Sequence, residues 1–289
     1  MLKTLLAILF SLCVCLNVSA DPDHKIQYPL TSDPIDVVIV THPKDKVTLN
    51  FCIEGIRKNC ENIGRIIVVS SEKLTDEAEW FDEANYPFSK DDVALEIVRG
   101  DKKRVKKFFV GYQRAGWYYQ QLLKLYSAFT IPDISCNVLV VDADTIFLNP
   151  VKFLKKSGGG LFCRGHLETR ERYLEHAKRI LPEYTQGLSE HFCICHHMLF
   201  QKPILDRLFE EVFEKHQVPF WQAFCRCVDL EHAGASEFEI YYNFAFSTTD
   251  QVGMQTLKWI NSPSFGRRKE FQKEGYHFAS FHTYMRNEK

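Results

Sequence analysis

The segment Val138-Leu139-Val140-Val141-Asp142-Ala143-Asp144 constrains this chain more than any other stretch of it. An unbroken run of valine and leucine is what a strand buried on both faces requires, and such strands belong to parallel sheets covered by helices. Carboxylates at i and i+2 project to one side of a strand, so Asp142 and Asp144 arrive together at its carboxyl end. Open α/β sheets bind ligands at that edge. Two neighbouring carboxylates repel each other unless a cation offsets them, and a hard divalent ion, Mn2+ or Mg2+, meets their oxygen chemistry. A metal at that place is positioned to hold a diphosphate.

The flanking pattern is consistent with such a sheet. Ile35 to Val40 reads as a first buried strand, followed by the loop Thr41-His42-Pro43-Lys44-Asp45. Leu49, Ile53 and Ile56 recur at helical spacing, and Arg65 to Ser70 supplies a second strand. Strand, loop, helix, strand opens a Rossmann-like sheet. No Gly-x-Gly-x-x-Gly follows the first strand, which argues against a dinucleotide cofactor. Further strands are expected at Val93 to Val98, Cys193 to Phe200 and Ile240 to Phe246. Helices are expected over Tyr118 to Phe129 and through Leu205, Leu208, Phe209, Val212 and Phe213. The expected fold class is α/β, with a mixed, mostly parallel sheet flanked by helices.

Residues 1–20 carry Lys3, an apolar run from Leu5 to Leu16, and Val18-Ser19-Ala20 before Asp21. That is the layout of a secretory signal peptide cleaved after Ala20, and the run is short for a membrane span. The protein is therefore expected to be exported, whether secreted, periplasmic or in a secretory lumen, with no stable span after cleavage; an uncleaved anchor is the alternative. Residues 21–34 read as a linker and 35–289 as one domain. A formal net charge of −1 provides no global field for nucleic acid. The basic stretch Lys102, Lys103, Arg104, Lys106 and Lys107 reads as a solvated helix face. Of the ten cysteines, loss of Cys13 and Cys15 with the signal leaves eight, an even set that permits disulfides in an exported protein. Cys193/Cys195 and Cys225/Cys227 could bridge each other or, with His196 and His197, bind zinc. The Cys-x-Cys spacing favours bridges or buried thiols over zinc.

Two enzyme classes place an acid pair after a buried strand. Dehalogenase-type phosphatases use the first acid as nucleophile, but normally near the start of their domain. Here about a hundred residues of α/β pattern come first. The strings Gly116-Trp117-Tyr118-Tyr119-Gln120-Gln121-Leu122-Leu123-Lys124-Leu125, Val140-Val141-Asp142-Ala143-Asp144-Thr145, His196-His197-Met198-Leu199-Phe200 and Ser236-Glu237-Phe238-Glu239-Ile240-Tyr241 resemble, in this order, a poorly characterised family of GT-A-fold glycosyltransferases. The likeness spans roughly Ile35 to Arg286. Asp-x-Asp alone is shared by many GT-A families; the four strings together are more specific.

This resemblance implies a GT-A-like domain, a nucleotide-sugar donor, a hydroxyl acceptor on a glycan, lipid or protein, and Mn2+ or Mg2+. Asp144 would ligate the metal, with Asp142 on the metal or the donor ribose. GT-A enzymes often add a C-terminal histidine ligand, for which His277 and His282 are candidates and His282 is preferred. The loop after the first strand usually receives the nucleoside, which nominates His42, Lys44 and Asp45. Gln120, Gln121 and Lys124 are polar residues in an apolar helix, Gln120 and Lys124 sharing a face, and Lys124 suits phosphate or sugar hydroxyls. Glu237 and Glu239 are candidate general bases for an inverting reaction. If Ser236 caps a helix, Glu239 belongs to the cap instead, which favours Glu237. His196 and His197 would border the acceptor. The alternatives are a phosphatase with Asp142 as nucleophile, an inactive carbohydrate-binding relative, and a secreted interaction protein stabilised by cysteines.

Overall fold

The computed structural model describes residues 25–106, 114–165, 171–185, 192–232 and 234–285. The expected signal peptide, residues 1–20, and Lys107 of the basic stretch lie outside the described residues. The first half contains β1 (Ile35–Val40), α1 (Lys46–Asn59), β2 (Ile63–Ser70), β3 (Glu79–Asp82), α2 (Lys90–Ile97), α3 (Ala115–Thr130) and β4 (Asn137–Asp142). Then come β5 (Thr145–Phe147), β6 (Leu161–Cys163), α4 (Glu171–Ile180), β7 (His197–Gln201), α5 (Lys202–His216), α6 (Phe220–Arg226) and α7 (Glu237–Thr248). The last elements are β8 (Gly253–Gln255), β9 (Trp259–Asn261), α8 (Arg268–Lys273) and β10 (Phe278–Ser280).

The central sheet has the order β3-β2-β1-β4-β7. Its first four strands run parallel and β7 is antiparallel to β4, so the expected mixed, mostly parallel α/β sheet is the one that forms. Every residue of β1 is buried, as a strand covered on both faces must be. Alternate residues feed two cores. Val38, Val40, Val138 and Val140 face Leu122 and Leu125 of α3 together with residues of α5 and α7. Val37, Ile39, Leu139 and Val141 face Leu49, Ile53 and Ile56 of α1.

Three expected strands differ. Val93–Val98 lies largely in α2, because Val93, Ala94 and Ile97 make a buried helical stripe and Ser89 with Asp92 forms a reciprocal capping box at its start. Ile240–Phe246 belongs to α7, a helix buried nearly all round whose N-cap Ser236 accepts from the Glu239 N–H; apolar residues on every side leave no period to separate helix from strand. Strand β7 begins at His197 rather than Cys193. The sheet edge is supplied instead by β3, inside the acidic connection from Glu72 to Asp92.

Residues 25–34 contain no helix or strand. Tyr28 nevertheless reaches the core, and its hydroxyl hydrogen-bonds Thr248 Oγ1 at 3.1 Å. Among the described residues no helix is long and apolar enough to cross a membrane. A small sheet, β5-β10-β9, carries the end of the chain back to the acid pair: Ser280 pairs with Thr145, and the Phe281 N–H donates to the Asp144 carbonyl at 2.9 Å.

Candidate active site

The register of β1 with β4 sets Val40 beside Asp142, so the loop after β1 and the acid pair open on one sheet edge. They line a pocket of ≈ 600 Å³. Lys44 and Asp45 enter it from the loop, Gln120, Gln121 and Lys124 from α3, and Glu237 from the start of α7. His196, before β7, and His282, after β10, complete the set around Asp142 and Asp144.

Lys124 is buried and stands between two carboxylates, with Nζ 2.6 Å from Asp142 Oδ1 and 2.7 Å from Glu237 Oε1. Burial disfavours its charge, yet the two acids outweigh that and hold its pKa above the usual lysine value. The two carboxylates thus favour the ammonium form. Burial pushes Asp142 up, but Lys124 and His196 hold it well below the usual carboxylate range. Glu237 responds oppositely: burial raises it and Lys124 only partly offsets this.

The second oxygen of Asp142 lies 3.3 Å from His196 Nδ1, and the Asp142 N–H donates to the His196 carbonyl at 2.9 Å. His196 achieves both contacts from a left-handed backbone, φ 72°, a conformation that non-glycine residues adopt rarely and at a cost. Asp144 is arranged differently. Its Oδ2 lies 2.9 Å from His282 Nδ1, while Oδ1 is buried with no hydrogen-bond partner among the described residues. A buried carboxylate oxygen left so is expensive unless an unseen ligand completes it. Two carboxylates and an imidazole are a donor set that fits Mn2+ or Mg2+.

Other expected site residues are placed elsewhere. His42 does not line the pocket; its Nδ1 accepts from the Lys44 N–H and caps the short 3-10 turn Pro43–Asp45. Glu239 is fully buried, its carboxylate accepting from the Cys193 N–H at 3.1 Å and Asn243 Nδ2 at 3.3 Å. His197 points away from its neighbour into a shell of Phe147, Phe153 and Phe278, where burial pushes its pKa down to about 3. His277 accepts from the Lys258 N–H at 3.0 Å, leaving His282 as the C-terminal histidine beside the acids. Gln120 lines the pocket and donates to the Val40 carbonyl at 3.1 Å. Gln121 accepts from the Glu237 N–H at 3.1 Å, and its Nε2 is buried with no partner among the described residues.

Sequence reasoning misses several lining residues. Trp117, Tyr173, Trp259 and Tyr284 border the pocket, yet aromatic residues ordinarily read as core. Thr283 donates to Asp45 Oδ1 at 2.7 Å, a contact across the whole domain that no local pattern signals.

The fold and the pocket define an α/β protein with a carboxylate-lined pocket at the carboxyl edge of its sheet. Residues 35–258 match the family of unknown function DUF6492, and the chain belongs to that family. No curated protein matches it. Among solved structures, mouse xyloside xylosyltransferase 1 in its apo form is similar over 88% of this chain and 98% of that one, at 10% identity and a TM-score of 0.38.

Proposed function

We propose that this protein is a metal-dependent glycosyltransferase that moves a sugar from a nucleoside diphosphate to a hydroxyl acceptor. The observation that carries the reading is Asp144, at the sheet edge where α/β proteins bind ligands. One of its oxygens lies beside His282 and the other is buried without a partner among the described residues. Asp144 and His282 would hold Mn2+ or Mg2+, with Asp142 alongside. A metal so bound supplies the positive charge that steadies a departing diphosphate.

The chain's own residues have separable tasks. Lys124 keeps Asp142 ionised and oriented and lends the pocket a fixed cation near the donor's oxygens. Lys44, Asp45 and Gln121, with its buried Nε2, line the pocket and would receive the nucleoside and donor hydroxyls. In an inverting reaction Glu237 would accept the proton of the acceptor hydroxyl, a task suited to a carboxylate whose proton affinity burial has raised. A phosphatase is less well supported, because both Asp142 oxygens are engaged, by Lys124 and His196.

The test is to incubate the full chain with a panel of nucleotide sugars and Mn2+ or Mg2+ and to measure nucleoside diphosphate release. Release from at least one donor, dependent on metal and abolished by Asp144→Asn, is expected. A folded protein that cleaves no donor with either metal would refute the assignment.

A further inference from the structure

We propose that Cys163, Cys195 and His197 form a structural Zn2+ site directly behind the pocket wall. The fold brings these residues together from three places: the end of β6, the turn before β7, and the first residue of β7. Their ligand atoms all lie within 4.8 Å of one another, with Cys195 Sγ 4.0 Å from His197 Nδ1. Zn–S bonds of about 2.3 Å and Zn–N bonds of about 2.0–2.1 Å at near-tetrahedral angles place their donor atoms roughly 3.5–4 Å apart. Small side-chain adjustments therefore suffice. Neither Cys225 nor Cys227 belongs to this cluster.

The surroundings select the ion. All three side chains are buried, in a shell that includes the rings of Phe147, Phe153 and Phe278 around His197. On binding, each thiol gives up its proton to solvent and forms a sulfur–metal bond, while the imidazole binds as the neutral base. Zn2+ with two thiolates and a neutral imidazole carries no net charge, which suits an apolar shell; Cu+ would leave one negative charge uncompensated. Carbonyl oxygens are close for a fourth ligand: that of Arg164 accepts from Cys163 Sγ at 3.5 Å and that of His197 from Cys195 Sγ at 3.4 Å.

The site has a structural consequence for the pocket. His196 lies between two of the ligands, and from its left-handed backbone both its carbonyl and its ring hold Asp142. A zinc bridging Cys195 to His197 and to β6 would pin that turn. Because its ligands are two thiols and an imidazole rather than pocket carboxylates, the proposal does not depend on the function assigned above.

The full chain is purified from zinc-supplemented medium, gel-filtered with a chelator to strip metal from the open carboxylates, and analysed by plasma mass spectrometry. About one zinc per chain, as a single closed site would hold, is expected in the wild type and equally in Asp144→Asn. Loss of most of that zinc is expected in Cys163→Ser and Cys195→Ser. Should the serine variants not fold, wild-type protein made with Co2+ decides: a thiolate-to-cobalt charge-transfer band supports the site, and its absence overturns it. Zinc-free wild-type protein, or non-reducing peptide mapping that finds Cys163 disulfide-bonded to Cys195, also overturns it.

Discussion

Asp142 and Asp144 are two residues apart and chemically identical, yet the protein treats them oppositely. Asp142 has both oxygens occupied by the chain's own cationic or polar groups, Lys124 and His196. Asp144 has one oxygen beside His282, and its other oxygen is buried without a partner among the described residues. Lys124 serves Asp142 and Glu237 together, so one buried ammonium is shared by two carboxylates. The difference teaches a division of labour. The fold supplies the counter-charge for Asp142 in advance; in the function proposed above, Asp144 is left for a charge that would arrive with the ligand.

The largest expected effect breaks the comparison on its open side. Asp144→Asn should lower donor turnover on the order of 10³-fold, the scale on which removal of one preorganised electrostatic group is felt. Its folding stability should stay the same or rise, because a repelling carboxylate is gone. Steady-state rates and urea unfolding of the same preparation check both halves. Stability lost in parallel with activity would mean that Asp144 is structural and that the two acids do not differ in kind.

Lys124→Met attacks the closed side. It leaves Asp142 and Glu237 buried with their shared cation removed, and breaking such a pair costs about 3–5 kcal/mol. Urea denaturation should show this loss, and adding Glu237→Gln to Lys124→Met should recover part of it. A Lys124→Met protein as stable as the wild type would show that Asp142 needs no resident cation.

Acid titration sharpens the same distinction. Asp142 has a depressed folded-state pKa, so its stabilisation is present above the ordinary carboxylate value and lost only as pH falls below it. The buried His176, hydrogen-bonded to the Phe224 carbonyl at 3.0 Å, is pushed down by burial to about 4. The unfolded chain takes up that proton below about pH 6.5, so His176 leaves stability untouched above that pH and erodes it on the way down to about 4. The slope is roughly 1.4 kcal/mol per pH unit for one proton. His176→Gln should reduce the slope between those limits by about one proton while the steeper loss at lower pH, to which Asp142 contributes, remains. An unchanged slope would show that His176 is already protonated in the fold.

What could be read in advance follows from whether a signal is local. Strands β1, β2 and β4 and helix α3 are legible because fully buried β-branched runs and leucines at helical spacing each fit one kind of element and few others. Helix α7 is not, since every residue from Glu237 to Ala245 is buried and no exposed face marks its period, and α2 carries its clearest sign in the Ser89/Asp92 box rather than in Val93 or Ile97. In the pocket, the spacing of Asp142 and Asp144 speaks for itself. That Lys124 sits between Asp142 and Glu237 does not, because Glu237 lies 113 positions away. Orientation is equally hidden: of the neighbours His196 and His197 one meets Asp142 and the other the phenyl rings, a choice made by the β4–β7 register.

The smallest expected effect concerns the strap that brings His282 to Asp144. Thr283 Oγ1 donates to Asp45 Oδ1 at 2.7 Å, joining the residue after His282 to the loop that opens the pocket. Thr283→Val removes the donor and keeps the shape; with the Thr283 side chain exposed, the loss in stability should be no more than about 1 kcal/mol. If the strap acts through His282, apparent Mn2+ affinity should weaken by a few fold while the Lys124-dependent stability is unchanged, because that pairing sits on the Asp142 side. Manganese titration of donor cleavage, set beside urea unfolding, resolves the two. An equal shift in both would mean that the halves of the pocket are coupled through this contact, and the separation between the two aspartates would then be one of degree.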